Sequence, residues 1–185
     1  MSKILSFFKR PSRSNSDFEA LVAPYMAALH RQAFKYAGNE SEAEDLLQEV
    51  LIEAYQRIDA LQAAPIPLAW LTRCLYHRFV DAYRKQKARP ALEDIDALHL
   101  RDEPQAAGSP EAHYWHSQVL KSLTLLSPEQ RMVVSLHDME GYTLVELANI
   151  VEMPLGTLKS HLHRARKILQ QEFKLQPFQP ATRYK

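Results

Sequence analysis

The sequence has little of what disulfide-bonded, sheet-rich or membrane-spanning proteins require. Its 185 residues include one cysteine, Cys74, and four glycines. A single cysteine excludes an intramolecular disulfide and a cysteine-based metal site, and it favours a reducing compartment such as the cytoplasm. Few glycines and few β-branched runs argue against a sheet-rich fold. No segment has the roughly 18 consecutive apolar residues that a membrane helix needs. What remains is an ordinary globular composition, 46% hydrophobic and 24% charged.

Charge and periodicity divide the chain into five segments. Residues 1–16 are expected to form a disordered basic arm, and residues 174–185 a frayed tail. Residues 17–89 and 114–173 carry apolar residues at helical spacing. Between them, residues 90–113 hold six carboxylates, one arginine, several prolines and a glycine, a composition typical of a flexible acidic linker. We therefore predict an all-α fold with two small helical domains joined by this linker.

Several helix boundaries can be predicted from the sequence of the first domain. Ser41 with Glu44 three residues later fits a capping box that opens a helix. The segment DALQAAPIPLA then interrupts the helical periodicity as a loop, and a further helix is expected to begin near Pro67. We expect the aromatic residues Trp70, Phe79 and Tyr83 of that helix to lie in the core.

The second domain has stronger boundary signals. Ser127 precedes a proline and pairs with Gln130 in a predicted capping box, and Gly141 is placed to end that helix. Thr143 and Glu146 form a second predicted capping box. A short capped helix, a tight turn and a further helix are the elements of a helix-turn-helix.

The segment MPLGTLKSHLHRAR supplies the last helix of this motif. Pro154 is acceptable in the first helical turn because its missing N–H would have no partner there, and Gly156 allows another backbone to approach. The apolar stripe expected to be buried comprises Leu155, Leu158, Leu162, Ala165, Leu169 and Phe173. The polar side expected in water comprises Thr157, Lys159, Ser160, His161, Arg164 and Lys167. A solvated basic face would explain these charges, but the combination with a helix-turn-helix favours a recognition helix in the DNA major groove.

Two further charged surfaces lie in the first domain. Residues 40–53 hold six acidic and no basic residues, which fits either a solvated face or a docking site for a basic partner helix. In the helix from Pro67, basic and aromatic residues are interleaved. This composition is typical of proteins that bind single-stranded DNA, because basic side chains contact the phosphates and aromatic rings stack on the unpaired bases.

These motifs resemble those of a known family. The segment from Leu126 to Arg166 closely resembles the C-terminal promoter-binding domain of bacterial RNA polymerase sigma factors of the extracytoplasmic-function (ECF) group. The family segment that binds the polymerase clamp helices is similar to SEAEDLLQEVLIEAY. The family segment that opens and recognises the −10 promoter element is similar to AWLTRCLYHRFVDAYRKQKAR. The resemblance implies a cytoplasmic sigma factor, monomeric when free, whose partners are the β′ clamp helices and β flap of core polymerase, promoter DNA and an anti-sigma factor that can hold it at the inner membrane.

The resemblance also implies roles for individual residues. The polymerase contacts it implies are Asp45, Gln48 and Glu49. The residues it implies for the −10 element and melting are Gln62, Arg73, Tyr76, His77, Arg84 and Lys85. Those it implies for the −35 element are Thr157, Lys159, Ser160, His161 and Arg164. Three departures stand out: His77 replaces the usual asparagine, His161 replaces the usual arginine, and Gln62 is the only amide in an otherwise apolar loop. The His77 and Gln62 departures both concern the −10 element, so we predict an altered preference there.

Other classes of function have less support. Among the eight histidines, His161 and His163 point to different faces of a helix, and His113 and His116 lack a nearby carboxylate motif. No nucleophile constellation or phosphate-binding loop is present in the sequence. We expect no enzyme activity, metal or cofactor. The alternative is a helix-turn-helix regulator that binds DNA without polymerase, but such a protein needs a ligand pocket or phosphoacceptor in its first domain.

Overall fold

The computed structural model describes residues 13–88 and 118–173, and every regular element in these two ranges is helical. The chain divides into two compact units, residues 1–101 and 102–185. The all-α prediction is confirmed. The predictions for residues 1–12, for the linker, for His113 and His116 and for the C-terminal tail lie outside the described residues. The predicted disordered arm was too long, because the first helix already begins at Arg13.

The first unit is a bundle around three main helices. Its elements are α1 (Arg13–Val22), a 3-10 turn (Ala23–Tyr25), α2 (Met26–Ala37), α3 (Glu40–Gln56), α4 (Ile58–Ala63) and α5 (Pro67–Ala88). Leu29 of α2, Leu47 of α3 and Leu75 of α5 are all 0% exposed. Burying each of these side chains contributes about 1.5–3 kcal/mol. A buried hydrogen bond of 3.2 Å from Thr72 Oγ1 to Gln32 Oε1 also joins α5 to α2.

The turn between α2 and α3 corrects one sequence prediction. Gly38 ends α2 in the left-handed conformation, with φ of 85°, which glycine adopts without strain. Asn39 then caps α3, and its Oδ1 accepts the Glu42 N–H at 2.9 Å. Ser41 is therefore inside the helix and does not open it. The asparagine beside a helix-ending glycine is an equally good cap and lies two residues earlier.

The segment expected as a loop contains a short helix. Residues 58–63 form α4, and only residues 64–66 separate it from α5, which begins at Pro67 as expected. Phe79 is in the core at 5% exposed. Trp70 and Tyr83, also expected in the core, are only half-buried. The Arg57 guanidinium lies 5.4 Å from the Trp70 ring centroid, so this indole packs beneath a cation at the surface.

The second unit contains the helix-turn-helix. Residues 118–123 form α6, followed by α7 (Pro128–Val133), a π-helical segment (Val134–Met139), α8 (Leu144–Val151) and α9 (Leu155–Phe173). Both predicted capping boxes are confirmed. The Ser127 N–H donates to Gln130 Oε1 at 3.0 Å, and the Thr143 N–H donates to Glu146 Oε2 at 2.6 Å. Gly141 follows the π-helical segment with φ of 81°, as expected of a residue just past a helix end.

Two details of this unit differ from the sequence prediction. The helix from Pro128 does not continue as an α-helix, because the Glu140 N–H donates to Ser135 O, five residues back, at 3.1 Å. At the other end, the Pro154 carbonyl accepts from the Leu158 N–H at 3.1 Å. Pro154 is therefore the N-cap of α9, one position before the first helical residue where it was expected. The turn before it contains Glu152 in the left-handed conformation, with φ of 52°.

Candidate nucleic-acid interface

The outer face of α9 presents polar side chains above a buried stripe. Thr157, Lys159, Ser160 and Arg164 are exposed. Beneath them Leu158, Leu162 and Ala165 are 0%, 6% and 0% exposed, whereas Leu155, Leu169 and Phe173, also predicted in the stripe, are only half-buried. A Cβ added at Gly156 would meet nothing within 4 Å. The missing side chain therefore serves no packing need in this unit, and it leaves the outer surface of the first helical turn open.

His161 is not on the fully wet side where it was expected. Its side chain is half-buried, and its Nδ1 is buried without a hydrogen-bond partner in the structure. Burial and then the positive charge of Arg164 lower the pKa of His161, while Glu129 opposes the shift. The imidazole is thus neutral at physiological pH. A neutral, half-buried ring supplies no positive charge at this position, unlike the arginine of the family motif that the sequence resembles.

A paired arginine fixes α9 against the π-helical segment. Arg166 Nε donates to Asp138 Oδ2 at 3.0 Å, and a second guanidinium nitrogen donates to Asp138 Oδ1. The two side chains are 25% and 12% exposed. Such a two-bond contact sets both distance and angle. Arg166 therefore fixes the orientation of α9 through a contact inside the second unit, and it supports the recognition face without being part of it.

The first unit has a groove between α3 and α5. Its volume is about 410 Å³, and the residues that line it are Glu53, Arg57, Trp70, Arg73, Cys74, His77, Arg78 and Asp81. Arg78 Nη2 and Nε donate to Glu53 Oε2 at 2.7 and 2.9 Å, and Arg57 Nη1 donates to Glu53 Oε1 at 3.1 Å. Partial burial opposes the shift, but these hydrogen bonds and charges hold the pKa of Glu53 below its usual value.

The groove also contains the single cysteine. Burial, followed by the charge of Glu53, raises the pKa of the Cys74 thiol to about 11. The thiolate is scarce at neutral pH, which makes this cysteine a poor nucleophile.

The predicted −10 residues are spread over the surface of α4 and α5. Gln62, His77, Arg84 and Lys85 are exposed, and Arg73 is half-buried in the groove. Tyr76 differs from the expectation, since it is 6% exposed and its ring lies inside the unit. Helical periodicity explains the error: the face of α5 that carries Tyr76 packs against the bundle, so an aromatic residue there adds to the core.

The predicted polymerase contacts share one face of α3. Asp45, Gln48 and Glu49 are all exposed and recur at the spacing of adjacent helical turns. The acidic residue one turn further on, Glu53, does not belong to this face because Arg78 and Arg57 neutralise it. Glu53 is one of the six acidic residues of residues 40–53 and Arg78 is one of the basic residues of α5, but nothing in the sequence pattern indicates that they pair.

Two kinds of feature are absent from the described ranges. No helix in residues 13–88 or 118–173 combines the length and apolar character needed to cross a membrane. The same two ranges contain no cluster of three or more histidine, cysteine or carboxylate side chains suited to a metal ion.

Comparison with known proteins identifies both units. Residues 21–89 match the family model of Sigma-70 region 2, and residues 116–169 match that of Sigma-70 region 4. These are the two domains of a sigma-70-type transcription factor. The chain is 32% identical over 156 residues to the RNA polymerase sigma-E factor of Streptomyces avermitilis, covering 84% of each chain. It is 30% identical to the ECF sigma factor SigE of Mycolicibacterium smegmatis, covering 82% of this chain and 60% of that one.

A solved structure agrees with the sequence relatives. The sigma factor RpoE of Bartonella quintana, crystallised with the anti-sigma factor NepR, has a TM-score of 0.67 and 27% identity, covering 86% of this chain and 98% of that one. The chain therefore belongs to the extracytoplasmic-function group of RNA polymerase sigma factors. Its role is to regulate transcription by recognising promoters.

Proposed function

We propose that this sigma factor binds core RNA polymerase through the acidic face of α3 and recognises promoter DNA through α5 and α9. The observation that carries the proposal is the presence of three separate surfaces with the right chemistry. Asp45, Gln48 and Glu49 offer an acidic, exposed helix face for a basic partner, here the β′ clamp helices. The second unit, by resemblance to its family, contacts the β flap and the −35 element.

The DNA contacts divide into two sets. On α9, we propose that the exposed Thr157, Lys159, Ser160 and Arg164 contact base edges and phosphates in a major groove. On the first unit, we propose that Gln62, Arg73, His77, Arg84 and Lys85 contact the −10 strand. We leave Tyr76 out of this set because its ring is buried, and we treat His161 as a residue that supports the helix.

Transcription in vitro tests the proposal. Purified protein is added to bacterial core polymerase on fragmented genomic DNA, and the new RNA 5′ ends are sequenced. Discrete start sites that share −10 and −35 elements, and that disappear without the protein, are expected. Tight binding to duplex DNA with no polymerase-dependent start sites would instead support the regulator alternative.

Matched variants locate the polymerase contact. Asp45→Asn and Glu49→Gln remove charge from the proposed face, and each is expected to weaken binding to core polymerase about three- to tenfold. Glu42→Gln removes an equally exposed carboxylate nearer the start of α3 and serves as the control. Equal affinity of all three variants for core polymerase would refute the assignment.

His77 is proposed to set the preference at the −10 element. It is exposed on α5 beside the groove, and its imidazole offers a different donor and acceptor geometry from an asparagine amide. His77→Asn should therefore shift the −10 consensus obtained by start-site sequencing. An unchanged consensus would show that this residue does not contact the strand.

We further propose that an anti-sigma factor regulates the chain in the cytoplasm. The support is the similarity to RpoE, which was crystallised with the anti-sigma factor NepR. A partner that covers the face of α3 would prevent polymerase binding. If a candidate inhibitor binds the sigma factor and polymerase binding is not reduced, this form of regulation is wrong.

A further inference from the structure

A carboxylate lies among the arginines of the groove between α3 and α5. This groove is lined by Arg57, Arg73 and Arg78 and by two carboxylates, Glu53 and Asp81. Glu53 is contributed by α3, but its side chain lines the groove and is separate from the acidic face of that helix. A surface that binds the phosphates of a DNA strand gains nothing from a negative charge among its cations, because that charge repels phosphate.

Both oxygens of the Glu53 carboxylate accept hydrogen bonds from arginines. Arg78 Nε and Nη2 donate to Oε2 at 2.9 and 2.7 Å, and Arg57 Nη1 donates to Oε1 at 3.1 Å. Carboxylate and phosphate oxygens bind the same donors of a guanidinium group. Glu53 therefore occupies, on both arginines, donors that a DNA phosphate would use.

The two arginines remain accessible although they are paired. The Glu53 side chain is 19% exposed, whereas those of Arg78 and Arg57 are 38% and 57% exposed. The acid is thus largely covered, while both guanidinium groups are within reach of a ligand in the groove. Arg57 also lies 5.4 Å from the Trp70 ring centroid, so contacts with an acid and with an aromatic ring both hold it in place.

We propose that Glu53 acts as an internal substitute for a DNA phosphate, which holds Arg57 and Arg78 and so limits the sequence-independent binding of the first unit to DNA. The inference rests on the proposed function, in which Arg73 and His77 of the same groove contact the −10 strand. Phosphate contacts add affinity for DNA of any sequence. Because Glu53 offsets one of the two arginine charges, it lowers this part of the affinity, and DNA outside promoters retains the holoenzyme less strongly.

Binding of the holoenzyme to single-stranded DNA tests the role of Glu53. Fluorescence anisotropy is measured over a range of salt concentrations with two labelled strands of equal length: the non-template −10 strand of a promoter found by start-site sequencing, and the same bases in scrambled order. Glu53→Gln should bind both strands about threefold more tightly at about 0.1 M salt. It should also steepen the slope of log K against log salt by about 0.7, the value for one added phosphate contact on a single strand.

Three further variants separate the charge of Glu53 from its contribution to folding. Glu53→Asp retains the negative charge and should keep the wild-type slope, whatever its melting temperature. The double variant Glu53→Gln/Arg78→Gln restores the net charge of the groove and should return affinity and slope to about the wild-type values. Glu42→Gln removes an exposed carboxylate of α3 that does not line the groove, and it should leave the slope unchanged.

The expected result for Glu53→Gln combines a lower melting temperature with tighter DNA binding. An ion pair with only a structural role would lower the melting temperature without tightening binding or changing the slope, and that result would overturn the inference. A gain confined to the promoter strand would also overturn it, because both strands carry the same phosphates, as would a steeper slope that persists in the double variant. A wild-type holoenzyme that does not prefer the promoter strand would overturn the proposed function instead.

Discussion

The contact between Asp138 and Arg166 gives the sharpest test of how the recognition helix is held. Asp138→Asn keeps the shape of the side chain but removes its charge and one of its two acceptor oxygens. The affected carboxylate is 12% exposed, so solvent replaces little of what is lost. Hydrogen bonds to charged groups contribute about 1.5–3 kcal/mol each, and partial exposure reduces that figure. We expect a loss of about 2 kcal/mol in the free energy of unfolding of the second unit.

A loss of this size is large for a small domain. At about 4–8 °C per kcal/mol, the midpoint of the second unit should fall by about 10 °C. Hydrogen exchange measured by mass spectrometry on the full chain localises the effect. Amides of α9 that exchange through unfolding of the unit should exchange about 30-fold faster, since each 1.4 kcal/mol is a factor of ten. Amides of α3, in the other unit, should not change.

The control removes a negative charge from α9 itself without breaking this contact. Glu172→Gln changes an exposed carboxylate near the end of α9, and it should alter exchange by less than about twofold. If Asp138→Asn exchanges in α9 as slowly as Glu172→Gln, the bidentate contact does not stabilise the helix and our reasoning is wrong.

Three other predictions follow from the burial of ionisable side chains. Glu53→Gln should destabilise the first unit by about 1 kcal/mol at pH 7. The pKa of Glu53 is lowered in the folded state. The difference in stability should therefore persist above a pH of about 4.3, the usual glutamate pKa, and shrink as the pH falls below it. If urea unfolding gives the same difference at pH 7 and at pH 3.5, the ion pair with Arg78 is contradicted. The neutral His161 supplies no charge to DNA, so the longer, charged side chain in His161→Arg should add one phosphate contact and steepen the dependence of log K on log salt for holoenzyme binding to promoter DNA by about one unit. An unchanged slope would show that a side chain at this position does not reach phosphate. Cys74, 6% exposed, should react with iodoacetamide at pH 8 only as fast as the first unit unfolds, so rapid labelling of the native chain would contradict its burial.

Local signals account for most of what could be predicted about the fold. Ser127 and Thr143 each form a capping box with a residue three positions on, and both boxes are present in the structure. Such contacts involve only residues close in the chain, so they can be predicted from the sequence alone. The error at Ser41 has the same origin, since Asn39 is another good local cap and sequence alone did not rank the two.

The helical character of the chain, the capped helix-turn-helix and the family could all be predicted without a structure, because each depends on residue types at short, regular spacing. Tertiary structure decided which charges remain available. Glu53 pairs with Arg78, 25 residues away, and Asp138 pairs with Arg166, 28 residues away. Tyr76 and His161 were assigned to DNA from their position in a motif, but packing against neighbouring helices buried one ring and half-buried the other. The spacing of residues along a helix gives the direction in which each side chain points from the helix axis. Burial and pairing depend instead on which other helix lies on that side.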